Sequence, residues 1–176
     1  YHTLIHPSIL NDVNGEYPLM ESDGVGRVPA GQNRYSVFSL WDTYRNLHQL
    51  MTLVYPERQI DMVRSMIDIY KEWGWMPKWE LFGRETFTME GDPAIPVITD
   101  TWLKGLRGFD IEAAYEAFVK SATSKGTDNL MRPDIDPYLE KGYVPLGMYS
   151  ADLSGDNSVS HALEYYIADY ALSLLA

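Results

Sequence analysis

VFSLWDTYRNLHQLMTLVYPERQIDMVRSMIDIYKEWG, residues 37–74, carries two apolar stripes at three- and four-residue steps, and that period sets the fold class. In the first, Val37, Leu40, Trp41, Tyr44, Leu47, Met51 and Val54 share a helical face that Pro56 closes, because proline lacks an N–H and clashes with the turn before it. In the second, Ile60, Val63, Met66, Ile67, Tyr70 and Trp73 line one face, and Gly74 stands where a left-handed residue stops a helix. Two consecutive helices joined by a tight turn predict antiparallel neighbours.

The same signals continue downstream. Asp92-Pro93 has the form of an N-cap followed by proline at the first helical position, leading into AIPVITDTWLKGL, where Pro96 fits only within the first turn. Gly105 and Gly108 end that helix, Asp110 caps the next, and Ile111, Ala114, Tyr115 and Phe118 line its inner face. A last helix from near Ser158 is expected to carry Val159, Ala162, Leu163, Tyr166, Ile167, Tyr170 and Leu174 inward. Residues 1–36 and 123–157 are rich in Gly, Pro, Asn and Asp and predict loops, with one short hairpin in the first stretch. Five helices in sequential pairs predict an all-α chain, an α/α toroid whose long loops gather at one rim. Residues 1–176 form a single unit, a loop-rich lead-in over 1–36 and helical pairs over 37–176. The chain opens without an initiator methionine and ends in an apolar helical pattern without a stop, so it is expected to be a piece of a longer polypeptide.

A formal net charge of −11, with no clustered Lys and Arg, argues against nucleic acid and disfavours anionic substrates. An aromatic content of 13% favours a neutral polar ligand with flat apolar patches. No stretch is long and apolar enough to span a membrane, and the N-terminus lacks a basic-then-apolar leader. The absence of cysteine excludes disulfides and thiolate chemistry.

Chemistry concentrates in WGWMPKWELFGRETFTMEGD, residues 73–92, where three tryptophans and four carboxylates share twenty residues between helices. Long connections inside compact domains are uncommon and usually functional. Tryptophan beside carboxylate is the combination that sugar recognition needs, since a pyranose has an apolar face and a hydroxylated edge. Trp41 and Asp42 in SLWDTYR offer the same pair, the carboxylate accepting from vicinal hydroxyls. The plainer alternative makes Trp41 a core residue, Asp42 a first-turn carboxylate favoured by the helix dipole, and Asp92 an N-cap. Glu85 and Asp92 are the pair a glycosidase reading nominates, with Glu85 as proton donor. His2, His6, His48 and His161 are scattered, and HTLIH lacks the glutamate of the zinc motif. NDVNGE and SADLSGDNS hold oxygen ligands but match no calcium-loop spacing.

The runs SVFSLWDTYRNLHQLMTLVYPERQIDMVRSMIDIYKEWGWMPKW, GRETFTMEGDPAIPVITDTWLKGLRGFDIEAAYEAFVKSA, GYVP and SVSHALEYYIADYALSLLA resemble glycoside hydrolase family 92, the calcium-dependent α-mannosidases. The resemblance implies a β-sandwich followed by an (α/α)6 barrel that hydrolyses α-mannosides with inversion, this chain being the first part of the barrel. It also implies a periplasmic or secreted parent. The family's acid motif Glu-Gly-Asn-Ala-Trp, base motif Gly-Asn-Asp-Asp and calcium motif Gly-Asn-Glu-Pro are all missing here. The resemblance therefore places the catalytic acid, the base and the calcium ligands outside this chain and withdraws Glu85 as acid. What carries over is substrate binding: Trp41 and Asp42 match the family's Leu-Trp-Asp-Thr stretch, and Glu85 and Asp92 its Glu-Thr and Gly-Asp stretch, all expected to line a mannose pocket. Phe87-Thr88 stands where relatives often have Asn-Cys, and Pro93 follows Gly-Asp, which leaves fine specificity open. A non-catalytic α-helical carbohydrate-binding module is the alternative that the same aromatic and acidic residues allow.

Overall fold

The computed structural model describes residues 4–147 and 157–176; His2 and residues 150–156 of the oxygen-rich SADLSGDNS stretch lie outside them. Seven helices occur among the described residues: α1 Leu40–Thr43, α2 Leu47–Val54, α3 Pro56–Trp73, α4 Ala94–Leu103, α5 Ile111–Thr123, α6 Ile135–Lys141 and α7 Ser158–Leu175. Several boundary signals act as expected. Gly74 adopts φ 94° and its N–H bonds Tyr70 O at 2.7 Å, ending α3. The Asp110 side chain accepts from Ala113 N at 3.1 Å and opens α5. Pro96 falls in the first turn of α4, where its missing N–H costs no helical bond.

Other boundaries differ. The stripe over 37–54 is not one helix: a turn separates α1 from α2, which ends at Val54 just before Pro56 as expected, and Pro56 itself starts α3. A single residue, Tyr55, joins α2 to α3, and the two helices pack together. Asp92 does not cap α4, because Pro93 takes the cap position and the Asp92 carboxylate turns to other partners.

Among the described residues three small sheets extend the expected all-α description. Strand β1 Ser8–Ile9 pairs antiparallel with β4 Tyr35–Ser36, and β2 Glu16–Pro18 with β3 Val25–Arg27, the hairpin foreseen in the lead-in. Strand β5 Phe38–Ser39 pairs with β6 Trp79–Leu81, which pairs with β7 Arg84–Glu85. The connection between α3 and α4 is therefore built around a hairpin. Its turn residues Phe82 and Gly83 have φ 51° and 85°, as a tight turn between twisted strands requires. Buried Glu80 fastens the hairpin by accepting from Gly83 N, Ser36 Oγ and Val37 N at 2.6, 2.9 and 3.1 Å. Burial pushes the Glu80 carboxyl above its ordinary range, with the Gly83 and Ser36 donors opposing.

The main core lies where α4 meets α2, α3, α5 and α7, and includes Val63, Met66, Ile69, Ile95, Ile98 and Phe118. A second cluster, Ile135, Tyr138, Val144, Ala162 and Tyr165, joins α6 to the first half of α7. The face of α7 differs from the expected one. Ser158, His161, Ala162, Tyr165, Ala168 and Ala171 are buried, whereas Val159, Leu163, Tyr166, Ile167, Tyr170 and Leu174 are exposed. This helix is apolar on two sides, and its small residues let it lie closely on α4. Tyr115 of α5 is likewise exposed, while Ala114 and Phe118 face the core.

Candidate functional site

Sheet pairing brings the two chemistry-rich stretches together. Ser39 pairs with Trp79, and Leu40 N donates to Lys78 O at 3.2 Å, so Trp41 and Asp42 leave the end of the sheet directly beside the 75–93 connection. Trp41 is half-buried, and its indole N–H is enclosed without an acceptor among the described residues. Asp42 is exposed and has no hydrogen-bond or ion-pair partner among them. Backbone strain surrounds this junction: Val37, Phe87 and Met89 have φ of 64°, 55° and 65°. Such conformations are uncommon for bulky or β-branched residues and cluster at functional segments.

The first half of α7 closes the arrangement. Glu164 accepts from Tyr44 Oη and from Arg45 Nη2, each at 2.8 Å. The Arg45 guanidinium lies 4.3 Å from the Trp41 ring centroid, and its Nε donates to Trp41 O at 3.1 Å. Burial, reinforced by the hydrogen bond to Glu164, pushes the Tyr44 phenol up to about 12, so it stays a neutral donor. Ser160, one turn before Glu164, donates to Glu90. Gly91 has φ 78°, and a Cβ there would stand 2.6 Å from Glu164 Cβ, so both backbone and space require glycine.

Glu85 and Asp92 lie beneath this rim. Glu85 is 8% exposed and accepts from Lys78 N, Trp79 N and Phe87 N at 2.8, 2.9 and 2.9 Å. Its oxygens thus hold the connection in shape. Asp92 is 3% exposed, accepts from Ser121 Oγ, and meets Arg132 Nε at 3.3 Å. Arg132 is fully buried and also donates from Nη1 to Asp169 at 2.8 Å, while Tyr138 Oη bonds the second Asp169 oxygen at 2.7 Å. Tyr165 Oη donates to Asp134 at 2.6 Å, and burial followed by that carboxylate holds the phenol well above its usual range.

Lys78, 3% exposed, donates to Met131 O at 2.8 Å. Burial pulls its ammonium down, and the Asp92, Glu85 and Asp134 carboxylates pull the other way. It borders a cavity of about 310 Å³ lined also by Phe87, Asn129, Leu130, Pro133 and His161. Larger depressions of about 600 and 670 Å³ lie beside the lead-in hairpin, away from Trp41 and Asp42.

Among the described residues no group of three His, Asp or Glu side chains is arranged to hold a metal ion. Glu85 and Asp92 direct their oxygens at amides, a hydroxyl and a guanidinium, which does not fit a calcium site. His48 is buried between Thr43 Oγ1 and Gln59 Oε1, each at 3.0 Å, and burial pulls it to about 4. It is a neutral core histidine.

Sequence reasoning brought Trp41, Asp42, Glu85 and Asp92 forward, and the structure sorts them into a rim pair, half-buried Trp41 and exposed Asp42, and a buried pair. It missed Arg45, Glu164, Lys78 and Arg132. Arg45 stands four residues after Trp41 and was within reach of helical spacing. Glu164 and Arg132 carry no local signal that links them to the site.

Residues 1–176 match the description "Glycosyl hydrolase family 92 catalytic domain". The chain is similar to a family 92 α-mannosidase of Bacteroides thetaiotaomicron solved in complex with mannoimidazole, at 36% identity and TM-score 0.87, covering 100% of this chain and 22% of that one. A family 92 inverting mannosidase of the same organism gives 28% identity and TM-score 0.85, covering 100% and 23%. An uncharacterized secreted glycosidase of Arthroderma benhamiae is 31% identical over 124 residues, 68% of this chain and 16% of that protein. The chain therefore spans less than a quarter of the length of these relatives.

Proposed function

The chain belongs to glycosyl hydrolase family 92, and from that premise we propose that it is a segment of an inverting α-mannosidase that removes terminal α-linked mannose from glycans or mannan. In this reading residues 1–176 are the first part of an (α/α)6 toroid. The catalytic acid, the base and the calcium ligands lie elsewhere in the polypeptide, and the parent is secreted or periplasmic.

The observation that carries the reading is the exposed, unpartnered Asp42 carboxylate beside Trp41 at the junction of α1, the 75–93 connection and α7. An ionised carboxylate accepts from two adjacent hydroxyls, and an indole beside it meets the apolar face of the ring. Glu85 and Asp92 shape the wall from below, with their oxygens turned to the protein. The relative solved with mannoimidazole supports mannose as the sugar.

The exposed apolar side of α7, Leu163, Tyr166, Ile167, Tyr170 and Leu174, is the surface on which the remainder of the polypeptide packs. The test is hydrolysis of an aryl α-mannoside by the full-length protein, with the product anomer followed by proton NMR. Release of β-mannose first is expected. A protein that binds mannose without hydrolysing it supports instead the carbohydrate-binding module.

A further inference from the structure

Asp42 and Arg45 are three residues apart at the end of a one-turn helix, a spacing at which opposite charges ordinarily pair. They do not pair here. Arg45 turns to Glu164 of α7, 119 residues away in sequence, and stays over the Trp41 ring. The Glu164 side chain is 12% exposed and that of Arg45 43%, so the pair sits at the protein surface with its acid end sheltered. Tyr44 Oη fixes the second Glu164 oxygen, and Gly91 brings the loop backbone against Glu164 Cβ. The acid on α7 is thus held by the turn that follows α1 and packed by the loop before α4.

We propose that Glu164 is a positioning residue that diverts Arg45 from Asp42 and so keeps the Asp42 carboxylate free to accept sugar hydroxyls; this rests on the reading of Asp42 as a mannose contact. Helix α1 is a single turn without a side-chain cap, so it has no stability of its own that would set the Arg45 direction. The preference must come from outside it. With the Glu164 charge removed, Asp42 becomes the nearest carboxylate along the chain for Arg45. A guanidinium bound to it would occupy the acceptor sites that a diol needs.

The experiment uses the full-length enzyme with mannoimidazole as the titrated probe, thermal unfolding as a check on folding, and kcat and KM for an aryl α-mannoside. Glu164→Gln keeps an acceptor for Tyr44 and loses the charge; its affinity should fall about tenfold. Arg45→Met keeps the stem over Trp41 and should stay within about threefold of wild type. The double variant should return to the Arg45→Met level, because with no guanidinium present Asp42 is free again. A role for Glu164 in folding alone would leave the double variant as weak as Glu164→Gln or weaker, and that result overturns the proposal. So does wild-type affinity in Glu164→Gln. Asp42→Asn separates the two readings: loss of affinity there with none in Glu164→Gln refutes the positioning role alone, whereas no loss in Asp42→Asn refutes the mannose contact itself.

Discussion

Arg132 offers the sharpest energetic test of how the site is supported. Its side chain is fully buried and that of Asp92 is 2% exposed, with 3.3 Å between Nε and the carboxylate. Arg132 also bonds Asp169 and lies 4.9 Å from the Tyr165 ring centroid. Removing one member of a buried pair leaves an uncompensated charge and costs about 3–5 kcal/mol. Arg132→Met should therefore destabilise by about 4 kcal/mol. Asp92→Asn keeps a neighbour for Ser121 and leaves Arg132 its Asp169 partner, so about 2 kcal/mol is expected. In the double variant no charge remains stranded at this point. The loss should therefore fall below that of Arg132→Met alone, a coupling of more than about 2 kcal/mol. Urea unfolding of the full-length protein, followed by tryptophan fluorescence with m-values compared across the four proteins, measures this. Losses that add to within about 0.5 kcal/mol would refute the pairing as the source of stability.

Three other perturbations follow from named contacts. His48, drawn by burial from 6.5 to about 4, takes up protons more readily unfolded than folded between those values. Its contribution is therefore complete above pH 6.5 and declines toward pH 4 by roughly 3 kcal/mol, and His48→Gln should flatten that slope in a pH series of urea midpoints. Gly91→Ala must accept φ 78° and a 2.6 Å approach to Glu164, so about 2–4 kcal/mol of destabilisation and a weakened mannoside KM are expected; wild-type values would contradict the close packing. Tyr170 is 67% exposed on α7, yet Tyr170→Asp in the full-length protein should cost about 2 kcal/mol or more if the remaining polypeptide covers it, against at most about 0.5 kcal/mol for a solvent-facing residue.

The features legible in the sequence are the ones with local causes. Gly74 and Asp110 terminate their helices through their own backbone and side-chain geometry, so a single residue type suffices to place them. Strands of two or three residues are too short to show alternation, which hid β5 to β7 and the hairpin at the centre of the connection. Helix α6 was hidden by Pro137 and by the Gly, Pro and Asp around it, although Pro137 sits within its first turn and Gly142 ends it with φ 78°. Helix α7 is apolar on opposing sides, and period alone cannot choose between a stripe of alanines and a stripe of large side chains. Burial of the small side followed from its fit to α4, a tertiary fact.

At the site, residue type pointed to Trp41 and Asp42 because an indole beside a carboxylate has chemistry of its own. The same reasoning put Glu85 and Asp92 among hydroxyl-binding residues. In the structure Glu85 bonds three amides within seven residues of itself, whereas Ser121 and Arg132 reach Asp92 through chain crossings that no spacing rule encodes. Glu164 is the clearest case, since its partners Tyr44 and Arg45 lie about 120 residues away in the turn after α1.

The central claim is that the Trp41–Asp42 rim holds the sugar. A crystal structure of the full-length protein with mannose bound tests it most directly. Two adjacent hydroxyls within about 3 Å of the Asp42 oxygens, with the ring against Trp41, are predicted. Mannose bound elsewhere, with Asp42 left facing solvent, would contradict it.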